Sequence, residues 1–152
     1  MNYIIRKAEK EDLENGLLEV YIEGYKYHQK GRPDVFKNQS DDIFKEDLTN
    51  MINDVPIIVI LDKGRVLGYL SYIIKGNKNK GYKKLVVDQL VISEKFRGKG
   101  LGKRLMEAVK DIAINEECER IELNCCLFNT NAIDMYKHIG FKEQRIMFEM
   151  EL

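Results

Sequence analysis

The sequence predicts a mixed α/β domain whose central sheet is not all-parallel, with elements in the order β-α-α-β-β-β-α-β-α-β and room for one more closing strand. Two observations predict this class. Segments rich in Val, Ile and Tyr alternate with segments whose apolar residues recur at helical spacing. Near the middle, three strand-like segments follow one another through short polar turns, which join antiparallel neighbours and not parallel ones. We expect one domain over residues 1–152, since a chain of about 150 residues buries enough surface for its own core.

The first half of the chain is predicted to hold one strand, two helices and a three-stranded meander. The strand is Asn2–Lys7, and helical spacing begins at Ala8. Ser40, followed by two aspartates, is a typical N-cap for a second helix that reaches about Asn50. Polar turns separate the strands of the meander, which are Pro56–Leu61, Val66–Ile74 and Tyr82–Ser93.

The second half begins with an amphipathic helix. From Leu101 onward, apolar residues recur at i, i+4, i+7 and i+8, which predicts a helix facing the sheet. A strand over Arg120–Leu127 and a short helix over Thr130–Ile139 follow. Phe141–Leu152 is predicted to form one or two closing strands.

The 25 basic and 25 acidic side chains cancel in total but are unevenly distributed. Residues 1–54 carry 8 basic and 12 acidic groups, residues 55–110 carry 13 and 4, and residues 111–152 carry 4 and 9. Local charge rather than the total decides which ligands a surface attracts. The distribution therefore predicts an anion-binding middle segment and an acidic first segment that suits a cationic ligand.

Composition also indicates a cellular compartment. No apolar segment reaches the ~18–20 residues of a membrane helix, and the N-terminus lacks the apolar stretch of a secretory signal. Three cysteines, with Cys125 next to Cys126, suit a reducing compartment better than a disulfide framework. We expect a cytoplasmic protein with no membrane partner. The cysteines and His138 match no zinc-ligand spacing, so no metal is expected.

The most informative segment is VISEKFRGKGLGKR, residues 91–104, which passes from a strand through three alternate glycines into a helix. Glycines let a ligand approach the backbone, and a helix N-terminus favours an anion, so the segment predicts a phosphate site. A Walker A loop is excluded because three rather than four residues separate Gly98 from Gly102, and Arg104 replaces the Ser or Thr. The dinucleotide fingerprint fails at Lys103. A solvated glycine-rich turn is the alternative interpretation.

Two segments together resemble a known family. Arg97-x-x-Gly100-x-Gly102, after a strand and before an amphipathic helix, resembles the acyl-CoA pyrophosphate loop of the GNAT superfamily of N-acetyltransferases. Asn129-x-x-Ala132-x-x-x-Tyr136-x-x-x-Gly140-Phe141 is similar to the family's other signature, about thirty residues downstream. The resemblance implies a mixed, mostly antiparallel sheet that splays between its fourth and fifth strands, flanked by about four helices.

The resemblance also implies an activity. Acetyl-CoA would be the co-substrate, and a primary amine would attack its thioester directly in a ternary complex. Loop N–H groups would hold the pyrophosphate, and main-chain groups of the fourth strand would pair with the pantetheine and polarise the thioester carbonyl. The implied cofactor-binding residues are Leu90, Val91, Ile92, Arg97, Gly98, Lys99, Gly100, Leu101, Gly102, Lys103 and Asn129. For Asn129, a helix N-cap ahead of Thr130 is an equal and compatible interpretation.

Two residues are the catalytic candidates. Tyr136 matches the family tyrosine whose phenol protonates the departing thiolate, and a tyrosine that merely packs against the sheet is the alternative. Asp88 is the only acidic residue between Lys63 and Ser93 and is the candidate base, acting directly or through water. A salt bridge to a neighbouring lysine is the alternative for Asp88.

The acceptor is expected to be a small-molecule or peptide amine that no motif identifies further. The first helix carries an acidic and aromatic cluster that would suit a cationic amine, formed by Glu19, Tyr21, Glu23, Tyr25, Tyr27 and His28. Ordinary amphipathic helix surface is the alternative explanation. The resemblance is also compatible with a homodimer that uses the last strands.

Two other functions compete with an acetyltransferase. The same fold could bind acyl-CoA as a sensor without turnover, although a sensor needs no proton donor such as Tyr136. The basic segments KGNKNKGYKK and EKFRGKGLGKR, residues 75–84 and 94–104, could follow a nucleic-acid backbone. A salt-dependent affinity in a DNA titration would reveal such binding, and we expect no nucleic-acid partner.

Overall fold

The computed structural model describes residues 2–152 and confirms the mixed α/β class and the predicted element order through the fourth helix. Five strands form one sheet in the spatial order β1-β2-β3-β4-β5, in which only β4 and β5 are parallel. The strands are β1 Ile4–Lys7, β2 Ile57–Asp62, β3 Arg65–Gly76, β4 Lys83–Ile92 and β5 Arg120–Leu123. The helices are α1 Leu17–Gly31, α2 Asp41–Asp54, α3 Leu101–Asn115 and α4 Thr130–Ile139.

Helices cover both faces of this sheet. On one face α3 contributes Leu105 and Val109 to a core that includes Leu70 of β3. On the other face α1 and α2 pack Leu17 and Leu48 against β2 and β3. Each such aliphatic side chain contributes roughly 1.5–3 kcal/mol when it is fully buried. The sheet is therefore held between two apolar layers, and its strand ends are the places left for a ligand.

The start of α1 differs from the prediction. Helical spacing begins at Ala8, but a 3₁₀ turn over Lys10–Leu13 comes first and α1 begins at Leu17. The reason is the buried carboxylate of Asp12, which accepts hydrogen bonds from the Glu9 N–H at 2.7 Å and from the Arg6 guanidinium at 2.8 Å. These bonds close a separate turn. The predicted Ser40 cap is confirmed, since its hydroxyl accepts from the Ile43 N–H at 3.3 Å.

A β-bulge interrupts β4 at Asp88. Ser71 of β3 is opposite Gln89, and the next residue, Tyr72, is opposite Val87, so Asp88 has no partner in this pairing. The bulge changes which positions of the strand face α3. Before the bulge the odd-numbered side chains belong to the α3-side core, and after it the even-numbered ones do: Leu85, Val87, Leu90 and Ile92. Asp88 and Gln89 are consequently both left out of that core.

The closing strand predicted over Phe141–Leu152 is not formed. Residues 141–152 have no regular secondary structure, and every residue from Lys142 onward is exposed. Strand β5 also ends at Leu123 rather than at Leu127. Apolar and polar residues do alternate in residues 141–152, but a strand needs a neighbouring strand to satisfy its backbone N–H and C=O groups. Among residues 2–152, no strand pairs with this segment. Within the same described range, no helix has the length and apolar character needed to cross a membrane.

Candidate active site

The sheet opens between β4 and β5. The two strands pair only from Lys84 opposite Arg120 to Val87 opposite Leu123. Strand β4 continues to Ile92, so Asp88–Ile92 has no strand partner on this side among the described residues. We call the space between Asp88–Ile92 and residues 124–129 the β4–β5 gap. Its β4 wall offers main-chain groups for a ligand that pairs like an added strand. The divergence inferred from the resemblance is thereby present in the structure.

Helix α1 lies across this gap at very close range. A Cβ placed on Gly24 would lie 2.8 Å from Cγ2 of Val91, and one on Gly31 would collide with the ring of Phe128. Val91 belongs to β4 and Phe128 to the segment after β5, so the helix touches both walls. The absence of a side chain at Gly24 and Gly31 is what permits this approach.

A chain of polar contacts links the two walls at one end. The Tyr27 hydroxyl donates to Oδ1 of Asn129 at 3.1 Å. The guanidinium of Arg97 lies 5.4 Å from the centroid of the Tyr27 ring, and its Nε donates to the carbonyl of Ile92 at 3.0 Å. Asn129 also caps α4, because its side chain accepts from the Ala132 N–H at 3.4 Å. The N-cap interpretation is thus confirmed, and the same side chain lies at the mouth of the gap.

The glycine-rich loop leads from the end of β4 into α3. Gly98 and Gly100 have φ of 76° and 77°, the left-handed region that favours glycine, and Gly100 is the N-cap of the helix. A Cβ at either glycine would meet nothing within 4 Å, so this part of the loop faces open space. Gly102 is instead buried against α4, with a would-be Cβ 3.3 Å from Sδ of Met135.

Free N–H groups and positive charge coincide at this loop. The first N–H groups of α3, from Leu101 to Lys103, have no acceptor within the helix, and the helix dipole adds partial positive charge there. Arg97, Lys99 and Lys103 are exposed around them. The backbone N–H of Arg97 already donates to the carbonyl of Glu94 at 3.3 Å. The N–H of Gly98 is therefore the first in the loop that is available to a ligand. The arrangement can hold a phosphate or pyrophosphate group.

Tyr136 lies on α4, facing the segment after β5. Its ring packs edge-on to Phe141 with centroids 5.8 Å apart. Burial, with a smaller effect from the Cys125 thiol, raises the pKa of Tyr136 to about 12. Burial likewise raises the pKa of Cys125. The structure therefore holds a phenol that stays protonated in a water-poor environment beside the gap. The ring also packs against Phe141, in keeping with the alternative interpretation of Tyr136 as a packing residue.

Asp88 and Gln89 face the layer of α1 and α2. Oε1 of Gln89 accepts from the hydroxyl of the buried Tyr69 at 2.7 Å. The Asp88 carboxylate is exposed. Its charge contributes to the raised pKa of Tyr21, after burial and the effects of Asp47 and Tyr25. The salt bridge suggested as an alternative is not formed, since the ion pairs among the described residues do not include Asp88.

The α1–α2 side also has a cleft and one unsatisfied polar atom. The cleft measures about 320 Å³ and is lined by Tyr21, Asp47, Asn50, Met51, Asp54 and Val55. Ser71, opposite the bulge, is fully buried, and within residues 2–152 its hydroxyl has no hydrogen-bond partner. The cleft itself is acidic, since Asp47 and Asp54 are among its lining residues. No cluster of three or more potential metal-ligating side chains occurs in the described range.

Two residues have roles at the site that the sequence did not reveal. Tyr27 was grouped with the acceptor wall, yet its hydroxyl joins the two sides of the gap through Asn129. Glu23 accepts hydrogen bonds from the Ser93 hydroxyl and the Glu94 N–H, just before the loop. Both contacts join residues about 70 to 100 positions apart. The only sequence signal was the helical spacing that places residues 20, 24, 27 and 31 on one face of α1.

Known proteins of similar sequence are consistent with this site. Spermine/spermidine N(1)-acetyltransferase of Bacillus subtilis (strain 168) is 31% identical over 86 residues, which cover 53% of this chain and 55% of that protein. The chain spans about half the length of the curated relatives it matches.

Solved structures show the same fold. The tetramutant of the BH1408 protein from Bacillus halodurans superposes with a TM-score of 0.85 at 21% identity, covering 98% of this chain and 99% of that one. An aminoglycoside N-acetyltransferase in complex with CoA gives a TM-score of 0.76 at 18% identity, covering 99% and 95% of the two chains. The profile of the acetyltransferase (GNAT) family matches residues 17–141, which is most of the sequence. With the opened sheet and the glycine loop in place, this match shows that the chain belongs to the acetyltransferase (GNAT) family.

Proposed function

We propose that this protein is an N-acetyltransferase that moves the acetyl group of acetyl-CoA to a primary amine. The observation that carries the proposal is the β4–β5 gap: among residues 2–152, the five consecutive β4 residues Asp88–Ile92 have no strand partner on the β5 side, next to the N-terminus of α3. A pantetheine arm has amides that pair with a strand, and it ends in a pyrophosphate. The gap and the loop offer complementary groups in that same order.

The residues fit acetyl-CoA on charge as well as shape. The loop residues Gly98–Lys103 supply N–H donors, and Arg97, Lys99 and Lys103 supply positive charge for its phosphates. Leu90, Val91 and Ile92 supply main-chain groups to the pantetheine, and Asn129 contacts it from the opposite wall. The aminoglycoside N-acetyltransferase of the same fold was solved with CoA, which supports this choice of ligand.

Acetyl-CoA supplies an acetyl group activated as a thioester. Tyr136 is then the proton donor to the departing sulfur. A phenol with a pKa of about 12 is a poor acid toward a thiolate whose conjugate thiol has an ordinary pKa of ~8.5. Burial also raises the pKa of a thiol, as it does for the neighbouring Cys125. Inside the gap, the pKa of the CoA thiol therefore lies closer to that of the Tyr136 phenol than it does in water.

Asp88 accepts the proton that the ammonium form of the acceptor must lose before it attacks. Its exposed position on the bulge places the carboxylate at the edge of the gap and on the α1–α2 side. Water can therefore relay the proton between the amine and Asp88 when they are not in direct contact.

The acceptor is a cationic small-molecule or peptide amine that approaches from the α1–α2 side. The cleft bearing Asp47 and Asp54 attracts positive charge, and Tyr21 adds an aromatic face. Relatives described as acting on spermine, spermidine and thialysine support a small amine over a large partner. We further infer a cytoplasmic location and one domain over residues 1–152, in keeping with the cysteine content and the family match.

A thiol-release screen tests the proposal. The protein is incubated with acetyl-CoA and, in separate reactions, with polyamines, aminoglycosides, amino acids and N-terminal peptides, and free CoA is measured with a thiol reagent. Release that requires both an amine and the protein supports transfer. Binding of acetyl-CoA without release for any amine class would instead indicate an acyl-CoA sensor, and absence of binding would refute both.

A further inference from the structure

Two hydrogen-bond donors hold the side chain of Asn129 in one orientation. The backbone N–H of Ala132 lies 3.4 Å from Oδ1 of Asn129. A backbone N–H can only donate, so the atom that faces it is the amide oxygen and not the amide nitrogen. The Tyr27 hydroxyl lies 3.1 Å from the same oxygen and therefore donates to it as well. With Oδ1 committed to two donors, the amide has the N–H groups of Nδ2 left to offer.

The Nδ2 group of Asn129 is open to a ligand. Within residues 2–152, no hydrogen bond of this side chain uses Nδ2. Nor is Nδ2 buried, because in that range the Ser71 hydroxyl is the one buried side-chain nitrogen or oxygen atom without a partner. Asn129 belongs to the wall of the β4–β5 gap that faces β4. Its free N–H groups are therefore available at the mouth of the gap to an oxygen of a bound ligand.

Of the two donors, Tyr27 makes the closer contact with the amide. The cap distance of 3.4 Å from the Ala132 N–H is longer than the usual N–H···O range of about 2.7–3.2 Å. The contact from the Tyr27 hydroxyl, at 3.1 Å, is the shorter of the two. Without this hydroxyl, only the long cap contact would hold the amide. The direction in which Nδ2 of Asn129 points therefore depends on Tyr27.

The ring of Tyr27 is itself held on two sides. The Arg97 guanidinium lies 5.4 Å from the ring centroid, within the range of cation–π attraction. The ring of Phe128 packs against it with centroids 5.8 Å apart. Arg97 lies at the start of the glycine-rich loop, and Phe128 is next to Asn129 in the chain. One tyrosine of α1 thus contacts both the loop proposed to hold the pyrophosphate and the segment that carries the asparagine.

We propose that Tyr27 is a positioning residue of the acyl-CoA site, which orients the Asn129 amide so that Nδ2 donates to an oxygen of the pantetheine arm. The inference rests on the proposed function, because it takes acyl-CoA as the ligand of the gap. Pantetheine carries amide carbonyl oxygens, which accept hydrogen bonds and cannot donate them. An amide held with its oxygen toward the protein and its nitrogen free is complementary to such an acceptor.

The affinity for CoA, measured by calorimetric titration of the full chain, tests the proposal. Tyr27→Phe removes only the hydroxyl and keeps the ring beside Arg97. It should raise the Kd for CoA ~5-fold, the effect of about one hydrogen bond, with unchanged thermal unfolding. Tyr25→Phe is the matched control, because the Tyr25 hydroxyl lies on the same helix but donates to the carbonyl of Lys37, at 2.7 Å. This control should bind CoA like wild type.

A double-mutant cycle separates an effect through Asn129 from a general structural effect of Tyr27. Asn129→Ser keeps a side-chain oxygen that can cap α4 but has no amide, and it should raise the Kd for CoA ~5–10-fold. In that background Tyr27→Phe should change the Kd by less than ~2-fold, because no amide is left to orient. An equal loss of affinity from Tyr27→Phe in both backgrounds would overturn the proposal.

The side-chain amide of Asn129 also gives a signature in the wild-type protein, which does not depend on how a variant folds. In an NMR spectrum of nitrogen-labelled protein, its NH₂ resonance is assigned by its loss in Asn129→Ser, and one of its protons should move downfield when CoA is added. An NH₂ resonance that saturating CoA leaves in place, or a Tyr27→Phe variant with wild-type affinity, would overturn the proposal and leave the acyl-CoA site standing. Failure of the wild-type protein to bind CoA would instead overturn the proposed function, and this inference with it.

Discussion

The carboxylate of Glu23 accepts a hydrogen bond from the Glu94 N–H at 2.9 Å and another from the Ser93 hydroxyl at 3.3 Å. Glu23 lies on α1, whereas Ser93 and Glu94 lie between the end of β4 and the glycine-rich loop. Their contact fixes where the chain leaves the sheet and where the loop begins. The helix that crosses the β4–β5 gap is therefore also the support of the proposed pyrophosphate site.

Replacing Glu23 should weaken cofactor binding more than it slows turnover. A hydrogen bond of this kind contributes about 1 kcal/mol, which corresponds to a ~5-fold rise in the KM for acetyl-CoA in Glu23→Ala, with kcat changed less than 2-fold. Glu23→Gln keeps an acceptor oxygen and should recover most of the loss. Glu19→Ala, one helical turn earlier and paired with Arg65 on the surface, is the control. A lower melting temperature with an unchanged KM would restrict Glu23 to a structural role.

Tyr136→Phe should reduce kcat by ~10-fold or more and leave acetyl-CoA affinity nearly unchanged, because only the proton donor is lost. Since the pKa of Tyr136 is about 12, this group stays protonated through pH 10 and should add no alkaline limb to the rate profile. Tyr72→Phe is a matched control, as Tyr72 is another partly buried tyrosine whose pKa is raised by burial. Unchanged kcat in Tyr136→Phe would leave this tyrosine with its packing role alone.

Gly98→Val should block the phosphate site. Its effect on folding should be limited to the free-energy cost of placing a valine at a positive φ. The new side chain would enter open space at a position with φ of 76°, so it should raise the Kd for CoA ~10-fold or more. Gly64→Val is closely matched, with φ of 78° and no neighbour within 4 Å, but it lies in the β2–β3 turn. Both variants carry a backbone cost of about 1–2 kcal/mol. Equal loss of CoA affinity in the two would point to a general folding defect.

Acid should destabilise the protein partly through Asp12. Burial acts to raise the pKa of this carboxyl, but hydrogen bonds from Arg6 and from the Glu9 N–H outweigh it and leave the pKa below 3.8. A lowered folded-state pKa means that the stabilisation is present above the unfolded value and is lost as pH falls through the folded one. Asp12→Asn should cost about 1–3 kcal/mol of unfolding free energy at neutral pH. The difference from wild type should shrink as the pH falls below about 4 in denaturant titrations, and a constant difference would contradict the assignment.

The sequence predicted those parts of the fold and site that depend on local pattern. Ser40 capped α2 as expected, and the spacing from Leu101 placed α3 correctly. Gly98 and Gly100 adopt the positive φ for which glycine is suited. Each of these features is determined by residues within a few positions of one another, so a single sequence contains the signal.

The parts that could not be predicted depend on distant partners. The bulge at Asp88 follows from pairing with Ser71 and Tyr72, and it alone turns both Asp88 and Gln89 away from the α3-side core. The contact between Tyr27 and Asn129 joins residues 102 positions apart. The alternation after Phe141 predicted a strand. Such a pattern indicates that one face of the segment is suited to burial, but it does not identify the strand with which the segment would pair.

Equilibrium binding of CoA, measured by isothermal titration calorimetry, tests the central claim most directly. Wild-type protein should bind about one CoA per chain, with affinity that falls as salt rises because exposed cations hold the phosphates. Desulfo-CoA lacks the sulfur but keeps the pyrophosphate and pantetheine amides, and it should bind with similar affinity. An absence of binding heat for both ligands, together with acetyl-CoA failing to raise the melting temperature, would contradict the assignment of the β4–β5 gap and the glycine loop as an acyl-CoA site.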